Sequence, residues 1–281
     1  MSTFERKIFT GERALFGAHD LTLTDCIFAD GESPLKESAR LSLSGCSFRW
    51  KYPLWYGHDI ALRDCVLTAT ARAGIWYTEN VSLTNTVIEA PKTFRRARGI
   101  SLSGVTMTDA AETLWSCRDV TIRDVTARGD YLLMNADGVD AERLLLTGNY
   151  AFDGAKNVTL RASKLLTKDA FWNSEDVTVY DSYIAGEYLG WNAKRLTLVN
   201  CTVESLQGFC YIDRLTLKNC KLINTTLAFE YSTVEADITG AVDSVLNPSG
   251  GIIRADRIGL LTIDRDRVDP KRTTVIVREG S

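Results

Sequence analysis

The chain has 281 residues, 45% hydrophobic and 25% charged, which is ample apolar material for a large core and excludes a disordered chain. Thirty-three Lys and Arg against 36 Asp and Glu leave a net charge of −3, so the whole molecule has no attraction for nucleic acid or an anionic membrane. No apolar run reaches 18 residues, and the N-terminal MSTFERKIFTGERALF carries charges where a signal peptide carries its apolar block, so a cytoplasmic protein is expected.

Residues 1–14, with Phe4, Ile8 and Phe9, precede the first regular unit. From there the chain repeats itself: LTLTDCIF, LSLSGCSF, IALRDCVL, VSLTNTVI, ISLSGVTM and VTIRDVTA are followed by VTLRASKL, VTVYDSYI, LTLVNCTV and LTLKNCKL. The leading aliphatic residues are Leu21, Leu41, Ile60, Val81, Ile100, Val120, Val139, Val158, Val177, Leu196, Leu215, Val234 and Ile253. They are spaced by 20, 19, 21, 19 and 20 residues and then by 19 throughout.

Each unit alternates apolar and polar residues, which is strand periodicity. Leu21 and Leu23 define an aliphatic face and Thr22 a hydroxylic one, and the other units repeat the pattern. A turn column rich in Asp, Asn and Gly follows (Asp25, Gly45, Asp64, Asn85), then a short apolar pair such as Cys26 and Phe28. A third strand precedes the next unit, as in LWYG, GIWY and AFWN. Three short strands and three bends in about 19 residues leave no room for a helix, so a βαβ fold is excluded.

The expected fold is therefore all-β: a right-handed parallel β-helix of about 12–13 coils of 19–21 residues. The whole chain, 1–281, is one domain in this reading, with an N-terminal cap (1–14), coils (15–260) and a C-terminal cap (261–281) that includes TTVIVRE.

Five of the seven cysteines, Cys26, Cys46, Cys65, Cys201 and Cys220, share one inward column and are expected to be reduced core filler. No C-x-x-C occurs, and His19 and His58 stand two coils apart, so neither a metal nor a cofactor is expected.

The most informative column lies five residues before each leading aliphatic residue. It reads Phe16, Lys36, Trp55, Trp76, Arg95, Trp115, Met134, Asp153, Trp172, Trp191, Cys210 and Phe229. The column before it is apolar (Leu54, Ile75, Phe94, Leu114), so one of the two faces outward unless a bend intervenes. The aliphatic column is the better core, which puts the tryptophans on the surface. Three readings stay open: an oligosaccharide-binding face, a face covered by a second copy or by the C-terminal tail, and a core column. Asn135, Asn173 and Asn192, one place further on, are placed for a hydrogen-bonded ladder at the bend.

If the stripe binds sugar, Trp55, Trp76, Arg95, Arg96, Trp115, Trp172 and Trp191 are the binding residues, with the arginines gripping an anionic group. Asp153, with Asp137 and Glu175 on adjacent coils, is the candidate pair-forming carboxylate set for acid–base chemistry. The alternation Asp137, Lys156, Glu175, Lys194, Asp213 equally describes a surface ion-pair ladder. No interval exceeds 21 residues, so no loop is long enough to wall a cleft.

The coil pattern resembles the single-stranded right-handed β-helix of the pectate-lyase-like superfamily, in particular a bacterial branch of short, regular, Trp-rich coils. The resemblance covers nearly the whole chain but rests on coil pattern alone: neither the calcium-site motif of pectate lyases nor the paired-Asp motif of polygalacturonases is present. It implies carbohydrate chemistry, as a polysaccharide lyase, glycoside hydrolase or epimerase if the protein is an enzyme at all, and it carries over no catalytic residue. The expectation is a carbohydrate-associated β-helix with an oligosaccharide partner. The alternative is a non-enzymatic interaction protein whose Trp stripe mates with a partner or a second copy in a homo-oligomer.

Overall fold

The computed structural model describes residues 2–278. Among them no α-helix forms, and the one helical element is a 3₁₀ turn at Pro270–Arg272. The chain is all-β and winds into a parallel β-solenoid of about 15 turns. It divides into two compact units, Met1–Leu146 and Thr147–Ser281.

In the first unit the strands Ser2–Glu5, His19–Thr24, Ala39–Ser44, His58–Arg63, Glu79–Thr84, Arg98–Ser103 and Arg118–Arg128 pair in parallel, each with the next. The register stacks Leu21 on Leu41, Leu41 on Ile60, Ile60 on Val81, Val81 on Ile100 and Ile100 on Val120, as the repeat predicts. These side chains are buried, while Ser42, Ala61 and Ser101 on the opposite face are exposed. A second ladder of two-residue strands carries the inward aromatics. Phe9 stacks on Phe28 at 5.1 Å and Phe28 on Phe48 at 4.8 Å. Like meets like because the coil repeat matches the inter-strand spacing of about 4.8 Å.

The second unit repeats the scheme. Lys156–Arg161, Glu175–Tyr180, Lys194–Val199, Asp213–Thr226, Thr233–Ile238, Gly250–Ala255 and Thr273–Val277 pair in parallel in that order.

The corners are set by left-handed backbone. Asp25, Asp64 and Asn85 take φ of 53°, 52° and 49°, and Asp, Asn and Gly tolerate this region best. At Gly45 (φ 64°) a side chain is also barred by space, since a Cβ there would meet Asp25 Oδ1 at 2.2 Å.

At the ends, Phe4 of Ser2–Glu5 pairs with Leu23, and Val275 of Thr273–Val277 pairs with Ile253. Met1 and residues 279–281 of the expected caps lie outside the described residues. Two expectations need correction. First, Val234 pairs with Gly251, not Ile253. This is a slip of two residues, and because side chains alternate with period two, Ile253 still points inward and is fully buried. Second, the Trp-bearing segment is a strand only at Ile75–Trp76 and Phe94–Arg95, with an isolated bridge from Arg95 to Trp115. On the coils of Leu133, Phe152 and Phe171 it is a turn, because these residues themselves take φ near 60° (61°, 60° and 60°).

All seven cysteines are free and buried. Cys46 and Cys65 each direct Sγ at backbone carbonyls of their own and the preceding coil. Burial pushes the thiols of Cys117 and Cys210 up to about 12. Among the described residues no helix is long and apolar enough to cross a membrane.

Candidate functional site

Leu54, Ile75, Phe94 and Leu114 point inward and are fully buried, while Trp55, Trp76, Arg95 and Trp115 lie outside them, half-buried. The tryptophan column is on the surface, as expected. In the first unit, however, its rings stack on one another. Trp55 and Trp76 lie 5.3 Å apart and within 7° of parallel, and Trp76 Nε1 donates to the carbonyl of Lys92 at 2.7 Å, which fixes the ring. The Arg95 guanidinium fills the next place, 4.7 Å from the Trp76 ring and 4.5 Å from that of Trp115. Arg95 also pairs with Glu112 at 3.1 Å, which Lys92 meets at 3.2 Å. The π faces are thus occupied by neighbours and the arginine is committed to them. Arg96 is an exposed corner residue (φ 50°) whose amide donates to Trp115 O at 3.0 Å.

The second unit differs. Trp172 and Trp191 are 6.1 Å apart and tilted by 33°, so their rings form a wedge. Trp172 Nε1 donates to Tyr188 O at 3.1 Å. Tyr150 and Trp172 meet edge to face at 5.7 Å, as do Tyr188 and Trp191 at 5.9 Å. Between them lies a recess of about 250 Å³ lined by Tyr150, Lys168, Asp169, Trp172, Tyr188 and Trp191.

Asp169 is the residue that sequence reasoning missed. It is 1% exposed, its carboxyl accepts a hydrogen bond from the Tyr150 side chain, and its Oδ2 has no partner. Burial pushes this carboxyl above its ordinary range, against the lowering effects of Lys168 and Tyr150. Lys168 pairs with Glu187 at 3.2 Å, with Nζ 5.1 Å from the centre of the Tyr188 ring. A signal was available: three residues before the Trp column stand Tyr150, Asp169 and Tyr188 on successive coils, one carboxylate between two phenols.

Two carboxylates of the expected set, Asp153 and Glu175, are engaged by neighbours. Asp137 belongs to the first unit, where its amide donates to Cys117 O at 2.9 Å. Asp153 and Glu175 belong to the second. Asn173 donates to Asp153 at 2.9 Å and Asn192 to Asn173 at 2.8 Å, so two of the three expected asparagines, Asn173 and Asn192, form a ladder with Asp153 at its foot. Glu175 pairs with Arg195 and, at 3.6 Å, with Lys156; Arg195 also holds Asp176 at 2.7 Å. The Arg195 hydrogen bond holds the Glu175 carboxyl below its usual range. This is the ion-pair ladder, with Arg195 instead of Lys194 as its cation. Among the described residues no group of three or more His, Cys, Asp and Glu is placed to hold a metal ion.

Fold and surface together define a parallel β-helix protein of short coils with an aromatic stripe on one face. The chain belongs to the family described as protein of unknown function DUF3737, whose model matches residues 2–276. No curated protein matches the sequence. Among solved structures, the chain is similar to the A-module of the mannuronan C-5 epimerase AlgE4 of Azotobacter vinelandii (8% identity, TM-score 0.32, 98% of this chain and 87% of that one). It is also similar to the plasmid-mediated fluoroquinolone resistance protein QnrB1 (16%, 0.22, 79% and 94%). A third similar structure is the catalytic domain of a GH87 alpha-1,3-glucanase in complex with nigerose (10%, 0.27, 99% and 64%). Likenesses this distant concern the coil and carry no argument about activity.

Proposed function

We propose that the protein binds a carbohydrate in the recess between Tyr150, Trp172, Tyr188 and Trp191, and that it acts as a binding protein and not through turnover. The observation that carries this reading is the recess itself: two indoles splayed by 33°, two phenols edge-on to them, and a buried carboxylate oxygen without a partner. A sugar ring offers what such a site lacks. Its C–H face suits the electron-rich face of an indole, and its rim hydroxyls donate to Asp169 Oδ2. The 250 Å³ recess falls below the roughly 300–1,000 Å³ of a drug-sized site, so it accommodates a single ring, with the rest of an oligosaccharide lying along the coils. The first unit supports this role less well, since Trp76 and Trp115 already stack on Arg95. Binding without turnover is favoured because Glu175 is neutralised by Arg195 and Asp153 is tied to Asn173.

The test is a glycan screen read by tryptophan fluorescence, with Trp172→Ala, Trp191→Ala and Trp55→Ala. A saturable response is expected, weakened about tenfold or more by either of the first two substitutions and unchanged by the third. Silence from every glycan, or a multimer in solution that buries Trp172 and Trp191, overturns the proposal and leaves the stripe as a protein interface.

A further inference from the structure

The column Tyr150, Asp169, Tyr188 changes from phenol to carboxylate and back on successive coils. The smaller side chain at the centre opens the recess and leaves a charge inside it. Lys168, the adjacent cation, is engaged by Glu187 at 3.2 Å, while Asp153 and Glu187 both add negative potential at Asp169. One cation, Lys168, thus stands against three carboxylates, Asp169, Glu187 and Asp153, and the recess is left with a surplus of negative charge. The aromatic wall already shows what it accepts, because the Lys168 ammonium lies over the Tyr188 ring at 5.1 Å. A buried anion with an unpartnered oxygen is costly, and a neutral hydroxyl relieves only the missing hydrogen bond. A ligand bearing a positive charge relieves both and makes the stronger, charge-assisted bond.

From this arrangement we infer that the sugar taken by the recess is an amino sugar, its ammonium pairing with Asp169 Oδ2 while its C–H face lies on the indoles of Trp172 and Trp191. The inference rests on the carbohydrate reading above and names its substrate class. Oδ2 is screened from water, so the ligand reaches it when a side chain lining the recess shifts; Lys168, 46% exposed and held by a surface ion pair, is one that can move.

The experiment compares glucosamine oligomers with N-acetylglucosamine oligomers of equal length by calorimetry, for the wild-type chain and Asp169→Asn, at a pH where the free amine is protonated. Asparagine is nearly isosteric and keeps an acceptor for Tyr150. The wild type is expected to prefer the glucosamine oligomer about tenfold, and Asp169→Asn to bind both within about twofold of each other. If the variant does not fold, the pH dependence of the wild type replaces it: the preference is expected to vanish as the ligand amine deprotonates, and a preference that persists with the neutral amine overturns the pairing. Equal binding of the two oligomers, or a preference that survives Asp169→Asn, overturns the amino-sugar inference and leaves the carbohydrate reading intact. Failure of both oligomers and of every neutral glycan overturns the carbohydrate reading itself.

Discussion

Asn173 donates from Nδ2 to Oδ1 of Asp153 at 2.9 Å, so the carboxylate best placed by sequence for chemistry is the foot of an asparagine ladder. A second ladder has the same construction: Asn219 donates to Asn200 at 2.9 Å and Asn200 to Asp181 at 3.0 Å. An Asp at the foot is acceptor-only and needs no further donor, which explains why each chain of amides ends on one. Asp153→Ala is expected to cost about 0.5–1.5 kcal/mol by leaving the Asn173 amide without its partner, and Asp153→Asn clearly less because it keeps an acceptor. Urea midpoints of the two variants decide it; equal losses would remove the ladder as the reason for Asp153.

Arg95 is a structural cation between two indoles. Arg95→Lys keeps the charge but loses the flat guanidinium that matches both rings, and should destabilise by about 1–2 kcal/mol. The loss should persist at high salt, because stacking is not screened as an exposed ion pair is. Unfolding curves at low and high salt check this, and a loss that vanishes with salt would reduce Arg95 to its ion pair with Glu112.

Glu175 and Asp169 should move stability in opposite directions with pH. The Glu175 carboxyl is held below its ordinary 4.5 by the Arg195 hydrogen bond, so its contribution is present above pH 4.5 and is lost as pH falls through the lower folded value. Asp169 is held above its ordinary 3.8 by burial, so it is harmless below pH 3.8 and destabilises as pH rises through its folded value. Glu175→Gln should therefore lower Tm at pH 7, and Asp169→Asn should raise it. Both differences should fade in acid. Thermal melts across pH test the signs, and a lower Tm for Asp169→Asn at pH 7 would show that the carboxylate is not under strain.

The cysteines should be inert in the native state. With the thiols of Cys117 and Cys210 pushed to about 12 and that of Cys201 to about 11, and all seven buried, an alkylating reagent should label none until the chain unfolds. Cys46→Ser should cost about 1–3 kcal/mol, since it puts a hydroxyl into an apolar stack. Mass spectrometry of native and denatured protein gives the count, and rapid native labelling of any of them contradicts the packing described.

What the sequence by itself determined is everything that depends on repetition. A 19-residue period with alternating faces admits one kind of coil, and stacking like on like placed Leu21 on Leu41, Phe28 on Phe48 and the cysteines inside. The inward direction of Ile253 follows from the repeat despite the register, because a two-residue slip keeps a strand's faces. It also placed the tryptophans outside and the asparagines in a ladder. Only the tertiary structure decided what the stripe does with its rings. One-letter columns carry no ring tilt, so the closed stack at Trp55 and Trp76 and the open wedge at Trp172 and Trp191 read alike in sequence. Asp169 was hidden for a related reason: its importance comes from the corner that buries it between two tyrosines and from the pairing of Lys168 with Glu187. Both are matters of side-chain direction across neighbouring coils, which no periodicity encodes.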